Sequence, residues 1–162
     1  MATATERLSA LEIGVRRIQA MASNRFVARI SRALRKELRQ KLGRSEQPTV
    51  AIIDSQSVKR TLKGDGRGYD AGKKIKGRKR HIAVDTQGLL RAVGVHSAGI
   101  QDRVGAPVLL LQLAALCCTI RTIFADSAYT STLVEWVRAL FDWTLTIVKR
   151  TEAHRFVVFP KC

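Results

Sequence analysis

Val50-Ala51-Ile52-Ile53-Asp54 and Ile120-Arg121-Thr122-Ile123-Phe124-Ala125-Asp126 decide the fold: each is a short apolar, β-branched run that closes on an aspartate. Runs of that length and composition read as buried strands. If the two are neighbours in one sheet, their carboxylates emerge at the same edge. Hard oxygen donors placed there suit Mg²⁺ or Mn²⁺ rather than a softer metal. For either aspartate alone, a turn former or helix cap is the plainer reading. Together, in a strongly basic chain, they point to metal-assisted phosphoryl transfer on nucleic acid.

The basic character is large and unevenly placed. The 162 residues carry 29 Lys plus Arg against 13 Asp plus Glu, a net charge of +16 with a pI near 10.9. A polyanionic partner is the leading inference, and a merely soluble basic surface is the alternative. Clustering favours the partner: residues 1–46 are net +7 and residues 59–81 net +8, whereas residues 82–162 are only +2. The three cysteines, adjacent Cys117 and Cys118 with Cys162 at the last position, have neither metal-ligand spacing nor a disulfide framework, which fits a reduced, cytoplasmic setting. No apolar run approaches the length of a membrane span, and the start lacks a signal-peptide pattern, so no membrane partner is expected.

Outward from the two strands, the chain divides into a basic helical segment, residues 1–46, and a single α/β domain, residues 47–162. From Thr5 to Leu42 there is no proline, and Leu8, Leu11, Val15, Ile18 and then Phe26, Ile30, Leu34, Leu38 and Leu42 recur at helical spacing. Gly43 is a natural C-terminal stop. After Asp54, the glycine- and lysine-rich stretch Thr61–Gly77 reads as an exposed loop or hairpin tip, with regular structure resuming at His81. His81–Asp85 and Leu89–His96 flank Thr86-Gln87-Gly88 as an antiparallel hairpin. Asp102 is placed to cap a mostly buried helix, Val104–Leu116. A strand Ile120–Ala125, a helix from about Thr130 to Leu140 and a strand Thr144–Val148 complete a mixed sheet flanked by helices.

Gly72-Lys73-Lys74-Ile75-Lys76-Gly77-Arg78-Lys79-Arg80-His81 supplies point charges for phosphates, its glycines letting backbone approach a nucleic-acid strand. A solvated basic loop is the competing reading. Neither a P-loop nor a dinucleotide fingerprint is present, since Gly66-Arg67-Gly68 opens a basic loop rather than an apolar helix. Asp85 precedes a hairpin turn and reads as a turn former. His81, His96 and His154 lack metal-ligand spacing and read as ordinary strand or loop residues. Trp136, Phe141 and Trp143 suit core packing better than base stacking.

The stretches Ala51-Ile52-Ile53-Asp54-Ser55-Gln56-Ser57-Val58-Lys59 and Arg67-Gly68-Tyr69-Asp70-Ala71-Gly72 through His81 closely resemble bacterial insertion-sequence transposases of the DDE type. Val84-Asp85-Thr86, Gln101-Asp102-Arg103, Phe124-Ala125-Asp126 and Asp142-Trp143-Thr144-Leu145 continue the resemblance in order, over roughly residues 30–160. It implies a ribonuclease H-like fold and metal-dependent cutting and rejoining of double-stranded DNA at the ends of a mobile element and at a target. Asp54 would be the first carboxylate ligand and Asp126 the second, and Lys73, Lys74, Lys76, Arg78, Lys79 and Arg80 would contact DNA. The third ligand of the family, a glutamate, belongs on a helix after the segment that here reads Phe156–Lys161, and the chain stops at Cys162. Neither Glu135 nor Glu152 stands in for it. The resemblance therefore implies a domain incomplete at its C-terminus: an inactive or partial copy, a DNA-binding relic, or a chain working in an oligomer or with a partner that supplies the glutamate.

Overall fold

The computed structural model describes residues 25–59, 68–130 and 132–148. It divides into two compact units, Met1–Glu46 and Gln47–Cys162. Expectations for residues 5–24, for the loop between 60 and 67, and for His154 and Glu152 lie outside the described residues.

In the first unit, α1 spans Arg25–Lys41. Its Arg, Leu, Ala, Lys and Glu content favours helix, and it has no internal glycine or proline. It ends as its sequence indicates: Gly43 takes φ 66°, its N–H donates to the Gln40 carbonyl at 2.9 Å, and the Arg44 N–H reaches back to the Arg39 carbonyl at 2.9 Å. A Cβ at that φ would be strained, which is why glycine sits there. Phe26, Ile30, Leu34, Leu38 and Leu42 form a stripe along α1 that remains exposed.

In the second unit the strands are β1 (Val50–Lys59), β2 (Gly68–Asp70), β3 (Ile75–Asp85), β4 (Leu90–Ser97), β5 (Thr122–Ala125) and β6 (Thr144–Ile147). Helix α2 (Asp102–Leu116) joins β4 to β5; a 3₁₀ turn (Ser127–Tyr129) and α3 (Thr132–Phe141) join β5 to β6. β3 lies antiparallel to β1 and β4, whereas β5 is parallel to β1, and β6 parallel to β5. The order is thus β4-β3-β1-β5-β6, with β2 paired to the start of β3, beyond the end of β4. This is the ribonuclease H-like mixed sheet expected of the resemblance.

Strand alternation sets the two faces of the sheet. Odd-numbered residues of β1 and β3 point inward, under α2 and α3, and even-numbered residues point outward. Ala51, Ile53, Ala83, Leu109, Leu110, Leu113, Ile120, Ile123 and Val137 form the core beneath. Burial of each leucine there contributes roughly 1.5–3 kcal/mol. Outer-face Ile52, Val58, Val93 and Val95 stay exposed. Phe141 stacks on Trp143 at 4.5 Å and meets Trp136 edge-on at 5.5 Å, the packing role read for these aromatics. Arg91 is buried, its guanidinium bonded to Gln47 Oε1 at 2.6 Å and to Cys117 Sγ at 3.2 and 3.3 Å. It ties the entry of β1 to the end of α2.

Four expectations are corrected. β1 does not stop at Asp54 but runs to Lys59, because β3 pairs with it as far as Gly77. Regular structure resumes well before His81: the described part of the expected loop or hairpin tip is a hairpin tip, with β2 and the start of β3 paired on either side of the exposed turn at 71–74. Asp102 is not a cap: Gln101 precedes the helix without a side-chain bond, and the Asp102 carboxylate turns inward. Nor is α2 buried on all sides, for Val104, Val108, Leu111 and Leu116 are exposed.

Candidate functional site

β1 and β5 run parallel, with Val50 beside Thr122 and Ile52 beside Phe124. Continuing that register by two residues places Asp54 opposite Asp126. The two carboxylates therefore lie towards one edge, just past the last paired residues, where β5 ends. Both are exposed. Each is oriented through one oxygen: Asp54 Oδ1 accepts the Ser55 N–H at 2.7 Å, and Asp126 Oδ1 accepts the Ala128 N–H at 2.9 Å as the cap of the 3₁₀ turn. The second oxygen of each has no hydrogen bond among the described residues. Two hard, oriented, solvent-facing carboxylates fit a divalent cation whose coordination is completed by water. Among the described residues no group of three or more His, Cys, Asp or Glu side chains is arranged to hold a metal ion, and Glu135 sits exposed on α3. Asp85, by contrast, is buried as a turn former, its Oδ1 accepting the N–H groups of Gln87 and Leu89.

Beneath this edge lies a polar cluster that the sequence reading did not anticipate. Lys79 is only 4% exposed. Its ammonium lies 2.8 Å from Asp102 Oδ1 and 3.5 Å from Asp70 Oδ2, and donates to the Ile100 carbonyl at 2.8 Å. Asp70 also accepts from the Ser57 hydroxyl and, at 3.1 Å, from the Lys73 N–H. His81, directly across from Ser55, is fully buried with Nε2 3.5 Å from Asp102 Oδ1. Its ring meets His96 at 4.7 Å and Tyr129 at 5.9 Å, both edge-on. Gly105 of α2 makes this possible: a Cβ there would lie 2.3 Å from His96 Nε2 and 3.1 Å from the His81 ring.

The electrostatics follow from these contacts. Burial alone would raise the Asp102 carboxyl, but the nearby polar groups of His81, Lys79 and Ser55 and the Lys79 charge outweigh it and hold the group well below the usual range. The Ser57 hydroxyl, with smaller help from Lys73 and Lys79 against a burial penalty, also lowers Asp70. Tyr129 is pushed above the usual phenol range by burial first, then by the charges of Asp102, Asp54 and Asp126, with Ser55 opposing. Its phenol thus senses both edge carboxylates from below.

The six cations named from sequence separate into three settings. Lys76 and Arg80 are exposed, and Arg78 is half-buried, on the even-numbered side of β3, the face that carries Asp54; Arg80 bonds Gln56 across the strands. Lys73 and Lys74 are exposed in the turn before β3, Lys74 at φ 53° and Lys73 with its ammonium 2.9 Å from the Ser55 carbonyl. Lys79 is interior, so it is not a surface cation of this run. Alternation could have found this: Lys79 and His81 share the inward parity of Ala83, and Ser55 and Ser57 that of Ile53. Among the described residues, no helix is long and apolar enough to cross a membrane.

A family profile described as "Transposase DDE domain" matches residues 45–155. No match was found among curated proteins. Among solved structures, a piggyBac transposase synaptic complex with hairpin DNA aligns at 21% identity and a TM-score of 0.42, covering 67% of this chain and 24% of that one. The Mos1 strand transfer complex aligns at 13% identity and a TM-score of 0.41, covering 71% of this chain and 39% of that one. The chain therefore spans well under half the length of either.

Proposed function

We propose, because the chain belongs to the transposase DDE domain family, that it carries out metal-dependent DNA strand cleavage and transfer at the ends of a mobile element of the bacterial insertion-sequence kind. The observation that supports this reading is the parallel register of β1 and β5, which, continued two residues past its last pair Ile52 and Phe124, brings Asp54 opposite Asp126. Asp54 and Asp126 would hold Mg²⁺ or Mn²⁺. Such an ion supplies Lewis-acid activation of phosphoryl oxygens and of the attacking hydroxyl or water.

The protein's own part is positioning. The Ser55 and Ala128 amides fix one oxygen of each carboxylate and leave the other turned outward. Lys76, Arg78 and Arg80 lie on the Asp54 face and can hold the DNA backbone across the sheet, with Lys74 at the turn. Contacts of this kind fix register on the duplex without reading bases. A third acidic ligand is assigned to neither Glu135 nor Glu152; an oligomer or partner chain supplying a glutamate is part of the proposal.

The test incubates the full chain with supercoiled DNA and Mn²⁺. Nicked circles are expected from the parent chain and not from Asp54→Asn or Asp126→Asn. Nicking that survives both substitutions would overturn the assignment of the two carboxylates. Salt-dependent binding with no nicking by the parent chain would leave a DNA-binding module without cleavage as the function.

A further inference from the structure

The backbone of β1 has a sidedness that exposes one amide unit beside the two carboxylates. The Thr49 carbonyl accepts from the Arg121 and Thr122 N–H groups, so odd-numbered residues here direct their backbone groups towards β5. The other side agrees: Asp85 N–H donates to Leu89 and the Gly77 carbonyl accepts from Ala98, so odd residues of β3 turn to β4 and its even residues to β1. The β1–β5 ladder stops at Ile52 and Phe124. Ser55, odd-numbered and past that point, therefore aims its N–H and C=O into the gap beyond β5, whose far wall begins at Asp126.

Both groups in that gap are taken by charged side chains. The N–H donates to Asp54 Oδ1 at 2.7 Å, and the carbonyl accepts from Lys73 Nζ at 2.9 Å. An ammonium has three N–H donors, so one bond to Ser55 leaves two. Lys73 is also held at its own backbone: its N–H donates to Asp70 Oδ1, while Asp70 Oδ2 is anchored by Ser57 and lies 3.5 Å from Lys79. Of the other cations of the run, Lys79 is interior and Lys74, Lys76, Arg78 and Arg80 face outward or towards solvent; this one is brought round to the edge.

We propose that Lys73 is a member of the active site rather than a general DNA-backbone contact, its ammonium donating to a non-bridging oxygen of the phosphate held against Asp54 and Asp126. This rests on the metal-dependent cleavage reading given above. A fixed cation at that position stabilises negative charge as it develops on the phosphate, without reorganisation during the step. It also raises the local potential felt by any cation bound between the carboxylates.

The experiment compares the parent chain with Lys73→Gln, which keeps a donor for the Ser55 carbonyl and removes the charge. Arg121→Gln, at the opposite end of β5, serves as the charge control. Calorimetric Mn²⁺ titration at low salt is expected to give about three- to tenfold tighter binding for Lys73→Gln and a change under about twofold for Arg121→Gln. At saturating DNA, the nicking rate of Lys73→Gln should fall on the order of 100-fold while its DNA affinity falls no more than about threefold. Unchanged Mn²⁺ affinity for Lys73→Gln, in a protein whose Mn²⁺ binding is lost on Asp54→Asn, overturns the placement of Lys73 alone. Mn²⁺ binding that persists in Asp54→Asn overturns the cleavage reading beneath it, and this proposal with it. If the parent chain binds Mn²⁺ through Asp54 without nicking, the titration decides.

Discussion

Replacing Lys79 by methionine should destabilise the fold markedly while leaving DNA binding by the folded protein nearly unchanged. The ammonium is enclosed by Asp102 at 2.8 Å, Asp70 at 3.5 Å and the Ile100 carbonyl at 2.8 Å. Removing it leaves two largely buried carboxylates and a carbonyl without their cation. Breaking a buried pair in this way typically costs about 3–5 kcal/mol. At roughly 2–4 °C per kcal/mol for a chain of this size, the melting temperature should drop on the order of 10 °C. Changing Asp102 to leucine as well should recover part of the loss, because the double variant leaves one carboxylate, Asp70, without its cation instead of two. Thermal and urea denaturation measure the stability; fluorescence anisotropy against salt measures the DNA affinity. Well below the lowered melting temperature, affinity should stay within about twofold and the salt slope should be unchanged, whereas Lys76→Met should reduce the slope by about 0.9. A Lys79→Met protein of parental stability with a flatter salt dependence would refute the interior assignment and return Lys79 to the DNA-contacting face.

Two further outcomes follow from the same cluster. Asp102 titrates below its usual range when folded, so the native state binds fewer protons than the unfolded chain on the acid side; its contribution is complete above the ordinary aspartate value of about 4 and is lost as pH falls below it. Urea midpoints between pH 3 and 7 should therefore fall more steeply towards acid in the parent than in Asp102→Asn, and parallel curves would contradict this. Gly105→Ala gains about 1 kcal/mol of helix propensity but sets a methyl 2.3 Å from His96 Nε2. Overpacking of about 1–3 kcal/mol should win, giving a lower denaturation midpoint; a raised midpoint would mean that His96 yields freely.

The strands other than β2 and the first half of β3, and the positions of the two edge aspartates, were legible because they rest on local signals: β-branched runs, turn glycines, and an aspartate after each run. The Asp54–Asp126 adjacency needed only the added fact that β1 and β5 are parallel neighbours. The buried cluster was not legible by composition. Lys73 to Arg80 reads as one basic run, and only the inward parity of Lys79 and His81 separates an interior cation from surface ones. Asp102 looked like a helix cap because capping is the commonest use of an aspartate before a helix; its partner Lys79 lies on a different strand, and no sequence spacing joins them. Lys73 was recognised for its charge, but its place at the edge depends on where the β1–β5 ladder ends.

The contact between Arg91 and Cys117 gives the two adjacent thiols different chemical lifetimes. Cys118 is exposed, while Cys117 is enclosed and bonded to the guanidinium that also grips Gln47. An alkylating reagent can reach Cys118 in the folded chain, but reaches Cys117 only when the end of α2 parts from the start of β1. The labelling rate of Cys117 therefore follows the opening of that seam, with its neighbour as an internal reference one residue away. The seam lies at the start of β1, before the carboxylate at Asp54, so the pair acts as a clock for the rear of the sheet.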